Sequence, residues 1–184
     1  MTAEITAPAI TVENLWQVFG ANAGRALSEV SSGGATREQI TAALRARDLV
    51  PAVRDVSFSV ADGELFVVMG LSGSGKSTLI RGISRLVEPT AGSVRIEGED
   101  VLAASKARMT QLRRTKMGMV FQHFGLFPHM NVIDNVAFPL KVTGLGRAAR
   151  HEKARPILEM VGLQGRDDAY PRELSGGQRQ RVGI

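Results

Sequence analysis

Cysteine is absent from the 184 residues, so they carry no disulfide framework and no thiolate metal site. That absence is compatible with a reducing compartment. Long apolar runs are missing too. The longest, LFVVMGL (65–71), falls far short of the roughly 20 residues a helix needs to cross a bilayer. The opening stretch, MTAEITAPAITVEN, has no basic region and no continuous apolar segment, so it does not read as a secretory signal. These features predict a protein that is soluble or is held at a membrane by a partner. Histidine is scarce. His123, His129 and His151 show neither metal-ligand spacing nor a carboxylate pattern around them, and they read as surface or loop residues. Internal repeats and low-complexity segments are also missing.

The composition that remains, 43% hydrophobic and 22% charged, is that of an ordinary globular chain with the length of one domain. The net charge of +5 permits contact with nucleic acid or acidic lipid. The basic residues are scattered, however, except for Lys106, Arg108, Arg113, Arg114 and Lys116, which read as a solvated helix face.

AITVENLWQVF (9–19) is rich in β-branched and aromatic residues and predicts a strand. GANAG (20–24) breaks it, and residues 25–50 read as mostly helical. There Thr36 and Gln39 have capping-box spacing, Ile40, Ala43 and Leu44 share a face, and Pro51 closes the segment. AVRDVSFSV (52–60) alternates as a half-buried strand does. ELFVVMG (64–70) does not alternate, and it predicts a strand covered on both faces. SVRIEG and MGMVFQ (117–122) read as further strands, with a polar helix around 106–115 between them. Trp16, Met117 and Met119 fit strand faces. Over 123–184 the pattern is mostly helical. Pro156 opens a new helix or kinks one, Gly162 and Gly165 mark stops, and Asp167 and Asp168 read as loop residues.

GLSGSGKS (70–77) matches the pattern G-x-x-x-x-G-K-[ST], with a strand pattern before it and a helix pattern after it. Gly70, Gly73 and Gly75 permit backbone angles and close approach that a side chain would block. The loop N–H groups then converge on phosphate oxygens, and the helix N-terminus adds partial positive charge. Lys76 supplies a full charge to the β- and γ-phosphates, and the Ser77 hydroxyl suits Mg²⁺. This motif says nucleotide triphosphate binding. A second motif, LSGGQRQR (174–181), lets Ser175 cap a helix whose first N–H groups, over Gly176 and Gly177, stay open to an anion.

Together, in this order and about a hundred residues apart, the two motifs resemble the nucleotide-binding domain of ABC transporters. Gln122 stands where that family has its Q-loop glutamine, and Phe19 where it places an aromatic residue against adenine. PHMNVIDNVAFPL (128–140) resembles the segment that faces the membrane subunit. The residues between Gly20 and Leu49, with MGLSGSGKST, RLVEPTAG, MVFQHFGLFPHM and ELSGGQRQRVG, look like the ATPase subunit of glycine betaine/proline importers of the ProV type.

The resemblance implies an α/β P-loop NTPase fold with an N-terminal β subdomain, a RecA-like core and a helical subdomain, in one partial domain over 1–184. It implies ATP and Mg²⁺ as ligands. Phe19 would stack on adenine. Gly70, Ser72, Gly73, Ser74, Gly75, Lys76, Ser77 and Thr78 would line the phosphate loop. Ser77 and Gln122 would meet Mg²⁺. Ser175, Gly176, Gly177 and Gln178 would complete the site of a second, head-to-tail ATPase subunit. The expected partners are that subunit, an integral membrane permease and, indirectly, a solute-binding protein, with no nucleic acid. The expected place is the cytoplasmic face of the membrane.

Hydrolysis in this family also uses an apolar strand ending in Asp-Glu and a later switch histidine. No apolar run over 79–184 closes in Asp-Glu, and no histidine stands in RQRVGI after Gln178, so no catalytic residue is assigned and the core sheet is expected to be incomplete. The chain therefore reads as a fragment of a longer ATPase. Two alternatives are a non-catalytic or interfering truncated subunit and a non-transport ABC protein acting on nucleic acid.

Overall fold

The computed structural model describes residues 8–122 and 124–184. They form two compact units, divided between Met117 and Gly118.

The first unit is built on a four-stranded antiparallel sheet in the order β2-β1-β3-β4. Strand β1 (Ile10–Phe19) lies between β2 (Val50–Val60) and β3 (Ala91–Ile96), and β4 (Glu99–Asp100) closes the edge. The β1–β2 register slips after Val12. Asn14 and Asp55 take left-handed backbone angles there, and the Asn14 amide donates to Asp55 at 3.0 Å. One face buries Val12, Leu15, Val53 and Val94 with Leu79 and Ile83 of α3 (Lys76–Ile83) and Met109 and Leu112 of α4 (Lys106–Thr115).

The insertion between β1 and β2 folds as two helices, α1 (Ala23–Ser31) and α2 (Arg37–Arg45). The expected capping box is present. Gln39 N–H donates to Thr36 Oγ1, and Thr36 N–H to the Gln39 side chain at 2.8 Å. Ile40 and Leu44 are buried with Trp16 and Val18, which anchors α2 to the sheet. The helix ends at Arg45, though, and Pro51 lies inside β2 rather than closing the helical segment.

Two expected strands do not form. Residues 64–70 and 117–122 make no ladder, because a strand exists only through hydrogen bonds to a neighbour, and neither segment has one among the described residues. Leu65, Val67 and Met69 are exposed. Only Phe66, stacked on Phe58 at 4.7 Å, and Val68 pack on the unit. Met117 packs against the same core and Met119 lines a groove of the second unit, but neither sits on a strand face. Of the five clustered basic residues, Arg113 is half-buried. It donates to the carbonyls of Ser84 and Arg85 after α3, while Arg108 and Lys116 pair with Glu99 and Glu97.

The second unit holds α5 (Val132–Ala137), a 3-10 turn over Phe138–Thr143, α6 (Arg147–Met160) and α7 (Gly176–Val182). Its core joins Val132, Ile133, Ala154, Leu158, Leu163, Leu174 and Val182. Pro156 opens no new helix, since α6 runs through it. Gly162, left-handed at φ 66°, follows the end of α6 as expected. Asn135 is buried and ties down the preceding loop. Its amide donates to the carbonyls of Phe127, Met130 and Asn131, and its Oδ1 accepts from Phe127 N–H at 2.7 Å.

Candidate functional site

The phosphate loop leads directly into α3. Gly75 stands at the N-cap with φ 93°, and Gly73 takes φ 78°; both angles are rare for residues with a side chain. At Gly75 a Cβ would lie 2.1 Å from the carbonyl oxygen of Ala52 in β2, so the loop also needs the missing atom to lie against the sheet. At Gly73 nothing stands within 4 Å. No side chain caps α3, so its first N–H groups, over Lys76, Ser77 and Thr78, have no cap partner. The Lys76 ammonium folds back on the loop and donates to the carbonyls of Gly70 and Leu71, each at 2.8 Å. Ser72, Gly73, Ser74 and Ser77 are exposed, and Thr78 is half-buried. This is an open cradle of backbone donors with one mobile cation, which suits a polyphosphate. Among the described residues no three His, Asp or Glu side chains group as a metal site, so Mg²⁺ fits here only together with phosphate oxygens, beside the Ser77 hydroxyl.

Gly70, Ser74, Gly75 and Lys76 border a cavity of about 650 Å³. Its other walls are Ala52 and Arg54 of β2 and the Arg37, Thr41 and Arg45 face of α2. Sequence reasoning left the insertion without a role. The signal available there was Arg37, Thr41 and Arg45 spaced four apart on one helix face. Phe19 ends β1, 42% exposed and paired with Val50, and is not among the residues bordering the cavity.

The other expected site residues belong to the second unit. Gln122 is exposed in a turn. Ser175 caps α7 as expected. Its Oγ accepts from Gln178 N–H, and Gln178 Oε1 accepts from Ser175 N–H at 2.9 Å, while Gly176 and Gly177 stay exposed.

The histidine reading needs a correction. His151 is not a free surface residue: 17% exposed, it donates from Nε2 to Asp134 Oδ1 at 2.6 Å, and Arg147 donates to the other oxygen at 2.8 Å. Burial raises the Asp134 pKa, but the bonds from His151 and Arg147 outweigh it and hold the carboxyl below its ordinary value. His129 is exposed, edge-on to Phe127, and His123 lies outside the described residues.

The family pattern described as ABC transporter matches residues 53–184, from the second strand through both motifs. The chain belongs to the ABC transporter family. This ABC chain is 50% identical, over 96% of its length, to the trimethylamine N-oxide transport system ATP-binding protein TmoW of Ruegeria pomeroyi. It is 47% identical, over 95%, to the glycine betaine/proline betaine transport system ATP-binding protein ProV of Salmonella typhimurium. It covers 51% and 43% of those two proteins, and so spans about half the length of the curated relatives it matches. Among solved structures it resembles the ATP-binding cassette MJ0796 in a dimeric post-hydrolysis state bound to ADP and Pi. There the TM-score is 0.72 at 29% identity, covering 95% of this chain and 66% of that one. The P-loop NTPase fold expected from the two motifs is thereby established. Among the described residues of this ABC chain, no helix is long and apolar enough to cross a membrane.

Proposed function

We propose that this chain is the nucleotide-binding part of an ABC importer ATPase that drives uptake of a small solute carrying a trimethylated nitrogen. The observation that carries the reading is the uncapped start of α3 behind a glycine loop, with Lys76 held on two loop carbonyls that a phosphate can replace. Lys76 would turn from Gly70 and Leu71 to the β- and γ-phosphates. Ser77 would hold Mg²⁺, which neutralises phosphate charge when bound. Phe19 is proposed for the adenine and Gln122 for sensing the γ-phosphate. Ser175 to Gln178 are proposed to face a second ATPase subunit's nucleotide, a reading supported by the dimeric state described for MJ0796.

The solute class rests on the relatives, two of which are named for trimethylamine N-oxide and glycine betaine. A permease partner at the cytoplasmic face of the membrane belongs to the same reading. It is supported by an apolar groove of about 720 Å³ in the second unit, bordered by Phe121, Phe127, Phe138, Leu140 and Ile157. Hydrolysis is proposed for the whole protein; none of the residues assigned here is a base for the attacking water.

Calorimetric titration with Mg·ATP tests the binding. The expected result is saturable binding by the wild type and at least about a tenfold loss in Lys76→Ala, which removes a charge-assisted contact. Equal, non-saturable heats in both proteins would sink the reading. Uptake of labelled glycine betaine and trimethylamine N-oxide by cells carrying the complete transporter then decides between solutes.

A further inference from the structure

We propose that helix α2 is a wall of the nucleotide site, and that Arg45 and Arg54 supply positive charge to the polyphosphate of ATP. The inference rests on the ATP reading of the phosphate loop and extends it to the insertion.

The cavity of about 650 Å³ beside Ser74, Gly75 and Lys76 lies within the size range of small-molecule sites. Its far wall is the polar face of α2, and Arg54 comes from β2. The charges around it do not balance. Arg37 is neutralised by Glu38 at 3.2 Å. Arg45 and Arg54 have no carboxylate partner among the described residues, and neither does Lys76. Arg37, Arg45, Arg54 and Lys76 thus line one concave space against a single carboxylate, Glu38, which is paired with Arg37; the excess of positive charge repels itself and concentrates a polyanion. Guanidinium groups suit that ligand because their planar fork can donate two parallel hydrogen bonds to a phosphate.

The wall is also firm. Leu44 is fully buried and Ile40 nearly so, both packed with Trp16 and Val18, and the Thr36–Gln39 box fixes the start of α2. Arg45, one residue beyond Leu44, is therefore presented by an anchored helix turn rather than by a loose loop. The insertion thereby gains a function: it brings a second set of charges to a loop whose own cation is Lys76.

The test is a titration of the 184-residue chain with Mg·ATP, Mg·ADP and adenosine, at low and high salt. The variants are Arg45→Ala, Arg45→Lys, Arg54→Ala, Lys76→Ala and, as a charge control on an exposed face of α4, Arg114→Ala. Arg45→Ala and Arg54→Ala are each expected to weaken ATP about fivefold to twentyfold, as loss of a charge-assisted hydrogen bond does. ADP should suffer less and adenosine not at all. The deficit should shrink at high salt, Arg45→Lys should recover part of it, and Arg114→Ala should bind as the wild type does. Melting curves identify any variant that fails to fold, and the partial rescue by lysine separates charge from structure.

Wild-type ATP affinity in both arginine-to-alanine variants, with binding lost in Lys76→Ala, would overturn the inference and leave the ATP reading standing. An equal loss for adenosine would overturn the charge assignment. Absence of ATP binding by the wild type would remove both.

Discussion

Gly73 and Gly75, two residues apart in the phosphate loop, differ sharply in what they tolerate. Gly75 combines φ 93° with the Ala52 carbonyl only 2.1 Å from where a Cβ would go, whereas Gly73 has φ 78° and open space. Gly73→Ala should therefore cost only the left-handed strain, about 1–2 kcal/mol. Gly75→Ala should cost more than that, because loop or strand must also move, and should lower ATP affinity the more of the two. Denaturant melts and nucleotide titration of the two variants check the order, and equal effects would show that the contact with β2 is unimportant. Glycine's backbone freedom was read from the sequence at both positions, although the pattern itself fixes only Gly75 of the two. The reason specific to Gly75, a strand carbonyl from twenty-three residues earlier, was not, because it depends on how the loop lies against the sheet.

At the scale of the element, Asp134 ties the first turn of α5 to the start of α6 through His151 and Arg147. Its carboxyl is buried enough to favour the neutral form, yet the two donors hold its pKa below the ordinary aspartate value of about 3.9. A carboxyl lowered in the folded state stabilises fully above its unfolded value and loses that contribution as pH falls through the folded one. The second unit should thus weaken as pH drops below about 4, and Asp134→Asn should remove that part of the slope. At about pH 5 the variant should be less stable by about 1–2 kcal/mol, most of it from His151, since Arg147 is largely exposed. Thermal melts across this range decide it, and parallel pH profiles for both proteins would count against it.

Elements whose signals are local were readable in advance: the Thr36–Gln39 box, the Ser175 cap, the alternation of β2 and the helix that follows the phosphate loop. The bond between residues 134 and 151 was not, since it joins two helices. Nor was the fate of 64–70 and 117–122, because an apolar run states a preference for burial and says nothing about whether a partner strand exists.

That last point governs the whole molecule. Leu65 is 89% exposed, and Met69 and Leu71 are each 86% exposed, in one apolar stretch that carries no charge between Glu64 and Lys76. The backbone of 65–69 makes neither a ladder nor another hydrogen bond among the described residues, so its donors and acceptors are available along with its side chains. An extended apolar segment with free hydrogen-bonding groups is a template for pairing between chains. The 184-residue chain on its own should therefore self-associate as its concentration rises, and the route should run through this segment. Val67→Lys places a charge at a position already 62% exposed, so it should reduce association without lowering the melting temperature of the first unit. Phe66 and Val68, which hold the segment to the unit through Phe58 and the sheet core, are poor places for the same change, because a charge there would break packing as well. Sedimentation velocity at several concentrations reads the outcome. A wild-type chain that stays monomeric, or a Val67→Lys chain that associates just as strongly, would show that these residues are covered in solution.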